Sequence, residues 1–268
     1  MDRSLSPIGL LNSQQCKAVL AVNYFGFAQE LAPFREYSLR TGATLIEDNA
    51  HGFLSKDTSG VLLGMRASLG ITSIRKTFRL VNGAALFFSG DEYSGLVAEQ
   101  LEFQNEAAPM GFLLRKVSAQ IQRSTKIPTL SLFQFTIRMM RLIATGSRLP
   151  KSTIESETEL PTQVAPHRSV KELIKSLQPK VEVERRQKLF TEVHKRIKGL
   201  DLEVIFSDIH PGVSPYGLAF IGDNDSVHSV RDKLRGLCVE MIHWPDLPDA
   251  VNVPEDHFYR NIWVVNFL

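Results

Sequence analysis

Four short apolar runs joined by tight connections fill the first third of the chain and leave few folds open to it. Ala18 to Val22 and Ala43 to Ile46 are two of them; Leu69 to Ser73 and Ala84 to Phe88, bounded by Gly70 and Gly83, are the others. Between the first two, Glu30 to Arg40 carries Leu31, Phe34 and Leu39 as the apolar residues of an amphipathic helix, with Gly42 as its stop. Strand, helix and strand in close succession predict an α/β unit with a largely parallel sheet and helical crossovers. Ligands of such open sheets sit at the C-terminal strand ends. The second run continues directly into Glu47-Asp48, which places a carboxylate at that edge. His51 follows three residues later, and Lys76 lies just past the end of another strand.

The remainder divides by charge. The chain has 31 basic and 29 acidic residues among 268, so as a whole it is no polyanion binder. Between Ala107 and Ile154, however, there is no Asp or Glu, while Arg115, Lys116, Arg123, Lys126, Arg138, Arg141, Arg148 and Lys151 are all basic. The rest then holds 23 basic and 29 acidic residues, and such a block predicts a segment with an anionic neighbour of its own. Phe112 to Gln122 and Leu130 to Ile143 read as helices, and the Pro/Ser/Thr/Glu stretch from Pro150 to Pro166 reads as a linker. Helical patterns follow at Ser169 to Leu177 and Glu182 to Lys198, split by Pro179. Strands at Leu202 to Phe206 and Gly217 to Ile221, a helix at Ser226 to Leu234, and strands at Cys238 to His243 and Ile262 to Phe267 complete a small α+β unit. The expected divisions are 1–91, 92–166 and 167–268.

Composition narrows the class further. At 43% apolar and 22% charged residues the chain is globular rather than disordered. Its two cysteines, Cys16 and Cys238, have no partner at metal-ligand spacing, which predicts neither a disulfide framework nor a zinc site and points to the reducing cytoplasm. No basic leader precedes an apolar core, and no apolar run reaches the length of about 18 residues that a membrane-spanning helix needs.

An acid, an imidazole and a lysine at neighbouring strand ends can hold a cationic heteroaromatic ring and a carbonyl. Pyridoxal phosphate chemistry asks for that set, a lysine for the Schiff base and a carboxylate on the pyridinium nitrogen. Taken one at a time, the same residues have plainer readings. Lys76 alone is a solvated loop lysine, Asp48 a helix cap, and His51 a satisfied or solvated histidine.

The surrounding residues carry a resemblance. Val22-Asn23-Tyr24-Phe25-Gly26, Leu45-Ile46-Glu47-Asp48-Asn49-Ala50-His51-Gly52, and Ser73-Ile74-Arg75-Lys76-Thr77 followed by Asn82-Gly83-Ala84-Ala85-Leu86 resemble the DegT-type sugar aminotransferases. That family is of fold type I and depends on pyridoxal 5'-phosphate. Ser214-Pro215-Tyr216-Gly217, the run from Leu234 to Glu240, and His243-Trp244-Pro245 are similar to segments of its small domain. The likeness spans roughly residues 17 to 91 and 180 to 268. It implies a partial fold-type I large domain, a basic helical insert and linker, and a small α+β C-terminal domain.

By position, the resemblance implies that Lys76 is the Schiff-base lysine and proton carrier. It puts Asp48 on the pyridinium nitrogen, His51 near the phenolic oxygen where many relatives carry glutamine, and the Ser73 hydroxyl on the phosphate. The implied reaction is transfer of an amino group from a donor such as glutamate to a keto sugar borne on a nucleotide. Arg115 and Arg138 of the basic block then face the phosphorylated substrate. The resemblance also implies a homodimer or a companion chain. It begins beyond the family's phosphate-cradling turn and stacking aromatic, and ends before its final helix. The expectation is therefore a chain shortened at both ends, with a catalytically incompetent fragment or non-catalytic partner subunit as the alternative. The plainer reading of the basic block is an interdomain and dimer-contact helical segment whose charges are solvated, and two other uses compete with the substrate reading. Leu130 to Ile143 reads as a weak membrane-surface contact with Phe133, Ile137 and Met140 downward. Nucleic acid is disfavoured, because no interleaved aromatic platform accompanies the charges.

Overall fold

The computed structural model describes residues 2–7, 9, 15–90, 93, 95, 103–104, 107–125, 129–146, 165–237, 239–244, 254 and 257–268. The expected linker from Pro150 to Pro166 falls mostly outside them. Two four-stranded sheets organise the chain.

The first is built by β1 (Ala18–Val22), β2 (Thr44–Asn49), β3 (Leu69–Ser73) and β4 (Ala84–Phe88), in that order across the sheet. β1, β2 and β3 run parallel and β4 runs antiparallel to β3. The reversal follows from length, since a parallel crossover needs about a dozen residues or more and β4 begins too soon after β3. Helix α1 (Ala32–Thr41) connects β1 to β2 and ends at Gly42, whose φ of 73° is the left-handed cap that glycine favours. Leu31, Phe34 and Tyr37 bury against Val19, Ala21 and Leu45 on one face of the sheet. Leu39, expected on that apolar face, is 88% exposed. It lies five residues beyond Phe34, about 140° round the helix, and Tyr37 takes the inward position instead.

Among the described residues, the opposite face of this sheet is partly exposed. Leu20, Ile71, Leu86 and Phe88 are exposed on it, and strand alternation places Asp48 and Ser73 on the same side. A four-residue helix α2 (Ile74–Thr77) caps β3. Helices α3 (Met110–Thr125) and α4 (Thr129–Thr145) follow, packed on one another. The Thr129 hydroxyl donates to the Ser118 carbonyl across them at 2.7 Å.

The C-terminal unit contains α5 (Arg168–Ser176), α6 (Pro179–Ile197), β5 (Glu203–Val204), β6 (Gly217–Ile221), α7 (Asn224–Lys233), β7 (Glu240–Trp244) and β8 (Ile262–Asn266). Pro179 opens α6 in the first turn, where its missing N–H costs no helical bond. The sheet order is β5-β6-β8-β7, antiparallel throughout. The strand expected over Leu202 to Phe206 shrinks to two residues. Asp223 caps α7, its carboxylate accepting from the Ser226 amide at 2.8 Å. Phe190, Val193 and Ile197 of α6 meet Leu218 and Phe220 of β6, Val230 of α7 and Val264 of β8 in one continuous core.

Candidate functional site

The two acids that end β2 part company because strand side chains alternate. Glu47 is fully buried on the α1 side. It accepts from the Asn23 amide nitrogen at 2.8 Å, from the Arg66 backbone N–H at 2.8 Å and from Arg66 Nε at 2.7 Å. Arg66 also donates to Asn23 Oδ1 and to the Gln29 carbonyl. This closed ring holds the β1 and β2 strand ends together and engages both oxygens of the buried Glu47 carboxylate. Asp48 points to the partly exposed side, with Oδ1 accepting from the Ala50 N–H at 2.8 Å.

That turn delivers His51 into an aromatic box. Its ring stacks on Phe25 at 5.9 Å, lies 4.8 Å from Tyr216 and meets Trp244 edge-on at 5.0 Å. Phe25 is itself in the left-handed region at φ 54°, a conformation that a bulky residue keeps only when its surroundings impose it. Gly26 beside it has φ 91°, and a Cβ there would sit 2.7 Å from the Ser214 carbonyl. The close approach is sealed by the Tyr216 N–H, which donates to the Phe25 carbonyl at 2.8 Å, and by Ser55, which bonds both the N–H and the carbonyl of Ser214.

His51 Nε2 stands 3.4 Å from Lys76 Nζ, and its Nδ1 is buried with no partner among the described residues. Burial, then the nearby Lys76 charge, pushes the imidazole down to about 3, so it is neutral near pH 7. Lys76 is displaced the same way. Burial lowers its pKa most, Asp48 partly restores it, and Arg75 lowers it again. The result is an amine more often neutral than an exposed lysine, which is what a nucleophilic lysine requires.

Lys76 opens onto a cavity of about 310 Å³ lined also by Arg75, Arg79, Arg115, Lys116 and Tyr216. Five basic side chains therefore converge on one space, and Arg115 and Lys116 reach it from the basic block. Arg138 lies on α4, with its side chain outside those described. Ser73 ends β3 beside α2, its hydroxyl making no cap to that helix.

Arg186 carried no signal in the sequence, standing among charged neighbours in α6. It is fully buried, paired with Glu182 at 2.7 Å, and it donates to the carbonyls of Pro215 and Thr77. Burial pushes it down to about 10, where it is still cationic. It ties the last turn of the Lys76 helix to the C-terminal unit. Among the described residues no His, Cys, Asp and Glu group could hold a metal ion.

No family model matches the sequence, and no curated protein matches it. Solved structures do. A DegT DnrJ EryC1 StrS aminotransferase from Brucella abortus matches at a TM-score of 0.51 and 14% identity, over 93% of this chain and 59% of its own. The Helicobacter pylori aminotransferase PseC, involved in pseudoaminic acid biosynthesis, matches at 0.53 and 11%, over 93% and 61%. The Escherichia coli GDP-4-keto-6-deoxy-D-mannose-3-dehydratase, solved with bound hydrated pyridoxal phosphate, matches at 0.53 and 14%, over 96% and 65%. The chain thus spans about three fifths of the length of these structures. It has their fold, the α/β architecture of fold-type I pyridoxal phosphate enzymes, as the sequence resemblance implied.

Proposed function

We propose that this chain is a pyridoxal-phosphate-dependent aminotransferase of the nucleotide-sugar type, with Lys76 as its catalytic residue. In this reading 1–91 is the cofactor domain, 92–166 the basic insert and 167–268 the small domain. The carrying observation is Lys76 itself, a half-buried amine of lowered pKa, touching a neutral imidazole at the mouth of a cationic cavity.

The residues present fit the cofactor. Its ring, when bound, supplies the electron sink that makes the carbon bearing the amino group acidic. Lys76 Nζ would anchor it and, once released, carry the proton. Asp48, with one oxygen engaged by Ala50 and its charge felt by Lys76, would keep the ring nitrogen protonated. His51 stays neutral, and its unpartnered buried nitrogen marks a polar group still owed a bond. Ser73 would offer its hydroxyl to the phosphate. Arg115, together with Arg75, Arg79 and Lys116, suits the diphosphate of a nucleotide sugar. Arg138 is proposed with them by its place in the basic block.

The face of the first sheet that carries Asp48 also exposes Leu20, Ile71, Leu86 and Phe88 among the described residues, and a second protein chain, another copy or a companion, is read as covering it. A cytoplasmic location accords with this chemistry. Among the described residues, no helix is long and apolar enough to cross a membrane.

The test is reductive trapping. The purified chain is incubated with pyridoxal phosphate, treated with borohydride and mapped by mass spectrometry. One adduct on Lys76, absent in Lys76→Ala and weakened in Asp48→Ala, is the expected result. Labelling scattered over many lysines, or none, would sink the assignment for this chain alone.

A further inference from the structure

We infer that the α3–α4 hairpin is a docking surface for an anionic lipid membrane. Met110, Leu114, Val117 and Ile121 are exposed on α3. Their spacing places them on one stripe along about three turns of the helix. On α4, Leu132, Phe135 and Ile143 are exposed in the same manner, Ile143 at 82%. Phe133 and Ile137, the sequence-level choice for the downward face, are half-buried instead. They lie about 100° and 140° round the helix from Leu132, whereas Met140 does face outward. Ala119 is buried on α3 opposite its stripe, and it lines a space shared with Arg79 and Glu182 of the body. α3 thus turns its inner side to the body, α4 packs on α3, and both present large apolar side chains to solvent.

Charge selects the occupant. No acid occurs from Ala107 to Ile154 against eight Lys and Arg, while the rest of the chain carries a net charge of −6. An anionic bilayer attracts this segment and repels the remainder, so the chain approaches it hairpin first. Stacking the same hairpin of a second copy on the stripe would set like charges together. An amphipathic helix with an apolar face and Lys/Arg on its polar side lies in the lipid interface without crossing it. Neither helix is long and apolar enough to span, as already noted. Arg115 and Lys116 also line the Lys76 cavity, but the lipid measurement does not need the aminotransferase reading to hold.

Flotation of the full chain tests it, using vesicles of phosphatidylglycerol with phosphatidylcholine and vesicles of phosphatidylcholine alone. The chain is expected to float several-fold more with the anionic vesicles, to release as salt shortens the screening length, and to lose binding in Leu132→Asp/Phe135→Asp. Phe135→Trp keeps the apolar character, so folding is not at issue; its fluorescence should shift blue on binding and be quenched by brominated lipid. Equal flotation on neutral vesicles, no flotation of the parent chain, or Phe135→Trp fluorescence that brominated lipid leaves unchanged would overturn the inference. A light-scattering dimer that does not float, and that Leu132→Asp/Phe135→Asp splits, would assign the hairpin to a protein contact instead.

Discussion

The two sheets of this chain are held in opposite ways. The antiparallel C-terminal sheet shares a deep apolar core with α6 and α7. The mostly parallel N-terminal sheet is covered by α1 on one face, leaves Leu20, Ile71, Leu86 and Phe88 exposed on the other among the described residues, and has a small cluster of its own. Parallel strands ordinarily have both faces covered, while antiparallel ones tolerate water on one side; here the more exposed sheet is the parallel one. What fixes its strand ends is polar, the Glu47, Arg66 and Asn23 ring. Stability and chemistry are thereby separated. Apolar burial concentrates at the C-terminal end, and the reactive groups sit on a layer held by hydrogen bonds and left open to a ligand.

The contrast can be broken first by unfolding measurements. Phe220→Ala in the C-terminal core should cost about 3–5 kcal/mol in urea unfolding. Glu47→Ala, which leaves Arg66 buried and unpaired, should cost a similar amount, about 3–5 kcal/mol. A small loss for Glu47→Ala would show that the ring is not what holds the N-terminal sheet.

The His51 effect is smaller and depends on pH. Unfolded, His51 takes a proton below its ordinary value of 6.5, whereas folded it does not until about 3. The unfolded state therefore binds more protons through that window, and stability falls as pH drops. Between pH 7 and pH 5 the loss should be about 2 kcal/mol, and His51→Gln should abolish that part of the slope.

Lys76 supplies a titration without any cofactor. Its amine should react with an acylating reagent at lower pH than exposed lysines do, read peptide by peptide. Removing the opposing charge in Asp48→Asn should move that midpoint lower still, and Arg75→Ala should move it up. Smallest of all is Leu20→Ser on the partly exposed face, expected within about 0.5 kcal/mol. A clear loss there at high protein concentration only would reveal a partner covering the sheet.

Much of this architecture was legible in the sequence. β1, β3, β4, β6 and most helices lie where the apolar runs put them, because strand and helix periodicities act locally. The Lys76, His51 and Asp48 set was legible too, as three residue types at strand ends. What could not be read was orientation and distance. Period-two alternation says that Glu47 and Asp48 face opposite ways, but not which one meets α1. Arg66 sits in a loop without pattern, and Arg186 beside Arg185 looks like one more solvated charge. Tyr216 and Trp244, which box His51, come from the far end of the chain. Composition alone places Leu39 inward and Phe133 outward, and the helix geometry reverses both.

Arg186 holds the carbonyl of Thr77, in the same short helix as Lys76, together with the carbonyl of Pro215. The amine is therefore referenced to the C-terminal unit as much as to the strand that leads into its helix. Because Phe25 and Phe27 also join the C-terminal core and Tyr216 and Trp244 box His51, both members of the Lys76–His51 contact are positioned by the far end of the chain.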